Sequence, residues 1–84
     1  MVHMTLREDI GVKNIREFHR DLGDVLRSGD DITLDFSNVR RIDLSVAQVL
    51  MAAQRVVRKN NRSIRLKGLH KTVHEQLVLT GLAR

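Results

Sequence analysis

The residues best placed to do chemistry are Asp43, Leu44 and Ser45, which stand between an apolar step and a run with helical spacing. Val46, Val49, Leu50, Ala53, Val56 and Val57 recur on one helical face, so a helix is predicted from about 45 to 59. A helix start gathers unpaired backbone N–H groups and partial positive charge, and therefore favours anions. A phosphoryl group on a serine at that end would be well placed. The plainer role of Ser45 is to cap the helix, with Gln48 three residues on completing an S-x-x-Q capping box. Asp43 is read in the same two ways, as a turn aspartate accepting backbone N–H bonds or as an acceptor toward a partner. Asp35 lies near this loop on the polar parity of its strand and is expected to be solvated.

Other chemistry finds little support. His70 and His74 stand at i, i+4, a spacing that can chelate a metal on a helix, but no third ligand is placed to complete a site. His3 and His19 lie far off in sequence, so no metal and no cofactor are expected. A glycine-rich phosphate loop, a nucleophile elbow and paired helical carboxylates are all missing, which argues against an enzyme. The run Arg55, Arg58, Lys59, Arg62, Arg65, Lys67 and Lys71 is the strongest electrostatic feature. It lacks aromatic stacking residues and any motif that reads nucleic acid, so a solvated face or a surface for an acidic protein ranks above DNA or RNA.

The elements that must position these residues follow from periodicity. Met4 to Arg7 is a weakly signalled strand, and Glu8 to Lys13 a turn. Ile15, Phe18, Leu22, Val25 and Leu26 form one stripe, predicting a helix over 15–28 with Asn14 and Glu17 as its capping box and Gly29 just past its end. Ile32, Leu34 and Phe36 alternate with polar residues in a strand ending at Phe36, and Ser37-Asn38 is turn chemistry. Val39 and Ile42 turn back toward the core around exposed Arg40 and Arg41. Asn60 and Asn61 stand where a chain leaving a helix needs a left-handed residue. Ser63 to Lys67 is a strand with Ile64 and Leu66 inward, and Gly68 ends it. A last helix from about 71 to 80 carries Leu69, Val73 and Leu77 inward, with Thr72 and Glu75 as a third capping box and Gly81 as its stop.

Eighty-four residues make one domain, 1–84, with a modest aliphatic core, since Phe18 and Phe36 are the only aromatics. Three strands separated by helices imply crossovers and mainly parallel pairing. Helices over one sheet face leave the other uncovered, which points to self-association as a homodimer. No cysteine is present, so disulfides and thiolate metal sites are excluded, in keeping with a cytoplasmic location. No apolar run approaches the ~18 residues of a membrane span, and no secretory signal precedes the fold. Met4 offers an alternative start to Met1. The net charge of +5 is uneven: residues 1–43 carry nine acids against seven Lys/Arg, residues 44–84 one acid against eight. An electropositive C-terminal half would attract acidic partners.

Leu34-Asp35-Phe36-Ser37-Asn38-Val39, then Ile42-Asp43-Leu44-Ser45 and an apolar helix, resembles the STAS domain of anti-sigma factor antagonists. Ile64-Arg65-Leu66-Lys67-Gly68 and the ending Leu79-Thr80-Gly81-Leu82 extend the likeness over Ile32 to Leu82. The resemblance implies a small α/β domain, a mainly parallel sheet of about four strands with helices packed on one face. It implies a non-enzymatic bacterial module that binds an anti-sigma factor, often a serine kinase of the ATPase type, and frees a sigma factor. Aligned from Asp43, Ser45 falls on the serine that the partner kinase phosphorylates. Ser37, Asn38, Arg40, Arg41, Asp43, Leu44, Val46 and Gln48 would form the contact, with Leu44 and Val46 as apolar anchors. The family motif is Asp-Ser-Ser-Gly or Asp-Thr-Gly-Gly-like, so Leu44 replaces a small hydroxyl residue and Val46 a glycine. Relatives with divergent motifs are structural subunits on membrane transporter ATPases or in chemotaxis-linked assemblies. On that second reading Ser45 is an unmodified interface residue.

Overall fold

The computed structural model describes residues 2–81, so Met1 and the predicted motif residue Leu82 lie outside the described residues. The elements run β1 (Val2–Thr5), a 3-10 turn (Val12–Asn14), α1 (Ile15–Arg27), β2 (Ile32–Asp35), α2 (Leu44–Lys59), β3 (Ile64–Lys67) and α3 (Lys71–Leu79). The sheet has the order β1-β2-β3 and both pairings are parallel, with Ile32 opposite Val2 on one side and Ile64 on the other. Among the described residues it has three strands, against the four or so expected. β1 begins two residues before the predicted start, and β2 ends one residue before Phe36, whose N–H still donates to Lys67 O at 2.9 Å.

Alternation decides which face is buried. Ile32 and Leu34 are fully buried and join Phe18 and Leu22 of α1 and Leu50, Ala53 and Val57 of α2 in one core. Successive crossovers running the same way across the sheet put both helices on that face. The opposite parity holds His3, Thr5, Arg65 and Lys67, all exposed, with Thr33 buried at the centre. Val73 and Leu77 of α3 close the core beyond α2. One predicted core residue of α2 points out, since Val56 is exposed at 43%.

None of the three predicted capping boxes forms. The Asn14 carboxamide accepts from Gly11 N–H at 2.8 Å and donates to Asp9 O at 3.0 Å, while Glu17 pairs with Arg7. Thr72 lies inside α3, whose cap position is His70. The α2 cap lies two residues earlier than Ser45, at Asp43.

The exit from α2 follows the predicted chemistry. Asn61 adopts a left-handed φ of 56°, Arg62 N–H donates to Val57 O at 2.8 Å and Asn61 N–H to Arg58 O at 3.2 Å. These are the two bonds of a Schellman motif. The turn aims Arg62 back at α1, where its guanidinium donates to Leu26 O at 2.9 Å. Arg62 therefore leaves the solvated basic face to which the sequence reading assigned it, and satisfies a last-turn carbonyl of α1.

Two stability outcomes follow, both read from urea midpoints. Leu50→Ala is expected to cost ~2–5 kcal/mol through lost burial and a cavity. Arg62→Ala is expected to cost ~1 kcal/mol by removing one hydrogen bond from Leu26 O, which keeps a long one from Gly29 N–H, while Arg58→Ala stays within ~0.5 kcal/mol of the parent. Equal midpoints for the two arginine variants would refute the role given to Arg62.

Candidate functional site

The loop from Phe36 to Asp43 delivers α2, and three polar clamps fix it. Asp35 accepts Ser37 N–H at 2.9 Å and the Ser37 hydroxyl, which folds the chain over the end of β2. Those two bonds, the hydroxyl first, hold the Asp35 carboxyl below its ordinary value. Gly68 passes directly beneath at φ +70°, and a Cβ there would collide with Ser37 Oγ, so the position requires glycine. His70 Nε2 meets Ser37 O at 2.8 Å, which ties its ring to this loop. Among the described residues no group of His, Cys, Asp and Glu is suited to a metal.

The second clamp is Gln76. Its Nε2 donates to Ile42 O at 2.6 Å and its Oε1 accepts Ile42 N–H at 2.9 Å, so one side-chain amide satisfies both backbone groups of Ile42. The chain enters α2 at a position set by α3. Sequence reasoning missed Gln76, since nothing local links residues 34 apart. Its one signal was placement beside Leu77 at the border of the apolar stripe.

The third clamp is Asp43. Its backbone is extended (φ −104°, ψ 175°), and Oδ1 accepts Val46 N–H at 3.1 Å, making Asp43 the cap of α2. Ser45, predicted as the cap, is the second residue of the helix and donates its hydroxyl to the same oxygen at 2.5 Å. Oδ2 accepts Val12 N–H at 2.8 Å from the 3-10 turn. The Ser45 hydroxyl holds the Asp43 carboxyl below its ordinary 3.8; desolvation, the next effect in size, opposes it, and the Val46, Val12 and Ser45 N–H groups add to the lowering. Asp43 thus accepts backbone N–H groups as a turn aspartate does.

With the loop fixed, the predicted contact residues separate. Ser37, Asn38, Arg40, Arg41, Asp43, Leu44 and Gln48 are exposed and Ser45 is half-buried. Val46 is wholly buried, which corrects its assignment as a partner anchor. It occupies the third helical position, where the stripe points at the core. Leu44 is 68% exposed and lies with Ala47, Gln76, Leu79 and Thr80 around a shallow apolar groove between the start of α2 and the end of α3. Leu79, 87% exposed, was not foreseen, and neither was exposed Val12 beside Asp43. These residues form an exposed surface that combines apolar and hydrogen-bonding groups.

A sequence profile for the family described as "Mlab, STAS domain" matches residues 1–84. The chain belongs to the STAS family. Among solved structures, it resembles one from Thermotoga maritima provisionally described as an anti-sigma factor antagonist. The TM-score is 0.87 at 23% identity, over 96% of this chain and 72% of that one. No curated protein sequence matches. The STAS fold expected from the resemblance over Ile32 to Leu82 is thus present.

The cap assignment has a pH consequence. A depressed carboxyl contributes stability above its unfolded pKa and loses it as pH falls through the folded value. The parent is therefore expected to weaken below about pH 4, and Asp43→Asn, which cannot titrate, to show a shallower acid slope in melting temperature. Near neutral pH Asp43→Ala is expected to cost ~1–2 kcal/mol and Ser45→Ala less, because only the first removes the cap. Denaturant melts showing Ser45→Ala as the costlier change would return the cap to Ser45.

Proposed function

We propose that this STAS domain is a non-enzymatic docking module of the anti-sigma factor antagonist type. It binds an anti-sigma factor or serine kinase of the ATPase type through the start of α2, and phosphorylation of Ser45 releases the partner. The observation that carries this reading is Leu44. A large apolar side chain, 68% exposed, sits at the first position of α2 beside a hydroxyl held at the helix terminus. Burying it on a partner gains apolar area, while Ser37, Asn38, Arg40, Arg41 and Gln48 supply a polar rim. The protein acts in the bacterial cytoplasm on this reading; no helix among the described residues is long and apolar enough to cross a membrane.

The cap geometry sharpens the switch. Phosphorylation removes the hydroxyl that Ser45 donates to Asp43 and places ~1.5–2 negative charges beside an ionised carboxylate. The helix end favours one anion, but Asp43 already fills that role. A phosphoryl group therefore competes with the cap and must also be desolvated at the interface. Release follows from both.

A second reading is favoured by the Asp43–Ser45 hydrogen bond itself, which engages the hydroxyl in the resting fold. There the chain is a structural subunit of a transporter ATPase complex or a signalling assembly, and Leu44 is a permanent contact. Co-purification from the native cell with phosphosite mass spectrometry separates the two. A kinase-type partner and phosphate on Ser45 support the first; an unmodified Ser45 with a transporter ATPase supports the second.

Titration calorimetry against the recovered partner gives a quantitative check. Leu44→Ser is expected to weaken binding about tenfold or more with little change in melting temperature. Ser45→Ala should bind nearly as the parent. Ser45→Asp should bind much more weakly and lose a little stability, since its carboxylate faces Asp43. Equal affinities for the Ala and Asp variants would remove the phospho-switch.

A further inference from the structure

The two carboxylate oxygens of Asp43 serve different parts of the chain. Oδ1 accepts the Ser45 hydroxyl at 2.5 Å and Val46 N–H at 3.1 Å, both within α2. Oδ2 accepts Val12 N–H at 2.8 Å, from the first residue of the 3-10 turn. The carboxylate rotates as one planar unit about its last side-chain torsion. A rotation that withdraws Oδ1 from Ser45 therefore also displaces Oδ2 from Val12.

The turn on the receiving side is held by bonds of its own. Asn14 Oδ1 accepts Gly11 N–H at 2.8 Å, Asn14 N–H returns a bond to Gly11 O at 3.1 Å, and Asn14 Nδ2 donates to Asp9 O at 3.0 Å. The turn runs directly into α1, whose Ile15, Phe18 and Leu22 pack in or against the core. So anchored, Val12 N–H cannot simply follow a moving oxygen. Either its bond to Oδ2 lengthens or the turn shifts as a unit, and both change the Val12 amide. The Val12 side chain is 68% exposed, so a change there also alters the surface of the protein.

We propose that the Asp43 carboxylate is a relay that couples the Ser45 hydroxyl to the 3-10 turn before α1. While the hydroxyl donates to Oδ1, Oδ2 stays on Val12 N–H and the turn is held. An anionic group in place of the hydroxyl removes that donor and sets a like charge beside the carboxylate, which swings away from Ser45 and loosens its hold on Val12. The surface that answers to Ser45 thus extends beyond the first turn of α2 to Val12. A coupling free energy is reciprocal, so a change at the Val12 amide is felt in α2 as well. That phosphorylation supplies the anionic group rests on the docking reading above; the relay does not, and its test needs the chain alone.

The test is amide NMR of the isotope-labelled full chain at neutral pH, read as chemical shift and solvent exchange at Val12. Ser45→Asp is expected to speed exchange at Val12 about tenfold over the parent, with Ser45→Ala between the two. The deciding arm is the Asp43→Ser background, which keeps an oxygen to cap α2 and leaves none for Val12. There, adding Ser45→Asp is expected to leave Val12 where Asp43→Ser alone puts it. Thermal melts confirm that each variant is folded, and Asp43→Asn, whose amide nitrogen cannot accept Val12 N–H, repeats this arm should Asp43→Ser fail to fold. In the reverse direction Val12→Pro deletes the donor at a first helical position, which proline tolerates, and is expected to shift the Val46 amide. The relay is overturned if Val12 in Ser45→Asp matches the parent, or if Val46 stays unmoved in Val12→Pro. It is overturned equally if Val12 responds as strongly in the Asp43→Ser background, which would make the response no more than the field of the new charge.

Discussion

One carboxylate organises the exposed end of this domain. Asp43 accepts N–H groups from Val46 in its own helix and Val12 in a distant turn, and a hydroxyl from Ser45. These donors otherwise face water or nothing, because the first N–H groups of a helix have no partner within it. Gly11 packs so close to Asp43 Oδ2 that an added Cβ would lie 3.0 Å from it, so the turn has little room to shift. The start of α2 and the turn before α1 therefore move together. A single short side chain thus joins segments 31 residues apart.

The same economy appears at Ile42 and Gln76. The segment between β2 and α2 has no strand to pair with, and buried backbone groups must be bonded. Gln76 supplies an amide that imitates a neighbouring strand, while the Ile42 side chain packs in the core at 5% exposure. Two residues later Leu44 points out and Val46 points in. That alternation of commitments, core then solvent then core, is what leaves one large apolar residue free at the helix start.

Elements were legible in the sequence where one residue's chemistry acts on its own backbone. Asn61 in the left-handed region and the stripes of α1 and α3 are such cases, and so is the parallel order implied by helices between strands. Caps were not legible, because capping is a competition among neighbours that a motif cannot adjudicate. Ser45 satisfied the box but stands two residues too late, since Asp43 has the extended backbone a cap needs. Asn14 found better partners in Gly11 and Asp9. The site was legible as a stretch and not as a surface. Val46 obeys the helical period and is core, while Leu79 falls outside the inward stripe of Val73 and Leu77 and is exposed.

Coverage on one side decides which apolar groups so small a chain leaves at its surface. With helices on a single sheet face, all of the core is made between that face and the helices, and Ile32, Leu34 and Phe36 are completely enclosed by it. Apolar groups not needed there fall at the margins: Leu44 and Leu79 where α2 meets α3, Ile64 and Leu66 at the sheet edge. Polar residues set how each margin is presented. At the first, Asp43 and Gln76 hold the backbone in place, so on the proposed docking reading a partner would meet a shape already formed and lose less entropy on binding. At the second, Arg65 and Lys67 stand exposed on the opposite side of β3 from Ile64 and Leu66. The stability of the domain and its capacity for contact thus come from the same choice, a core closed on one side and clamped by side chains at its rim.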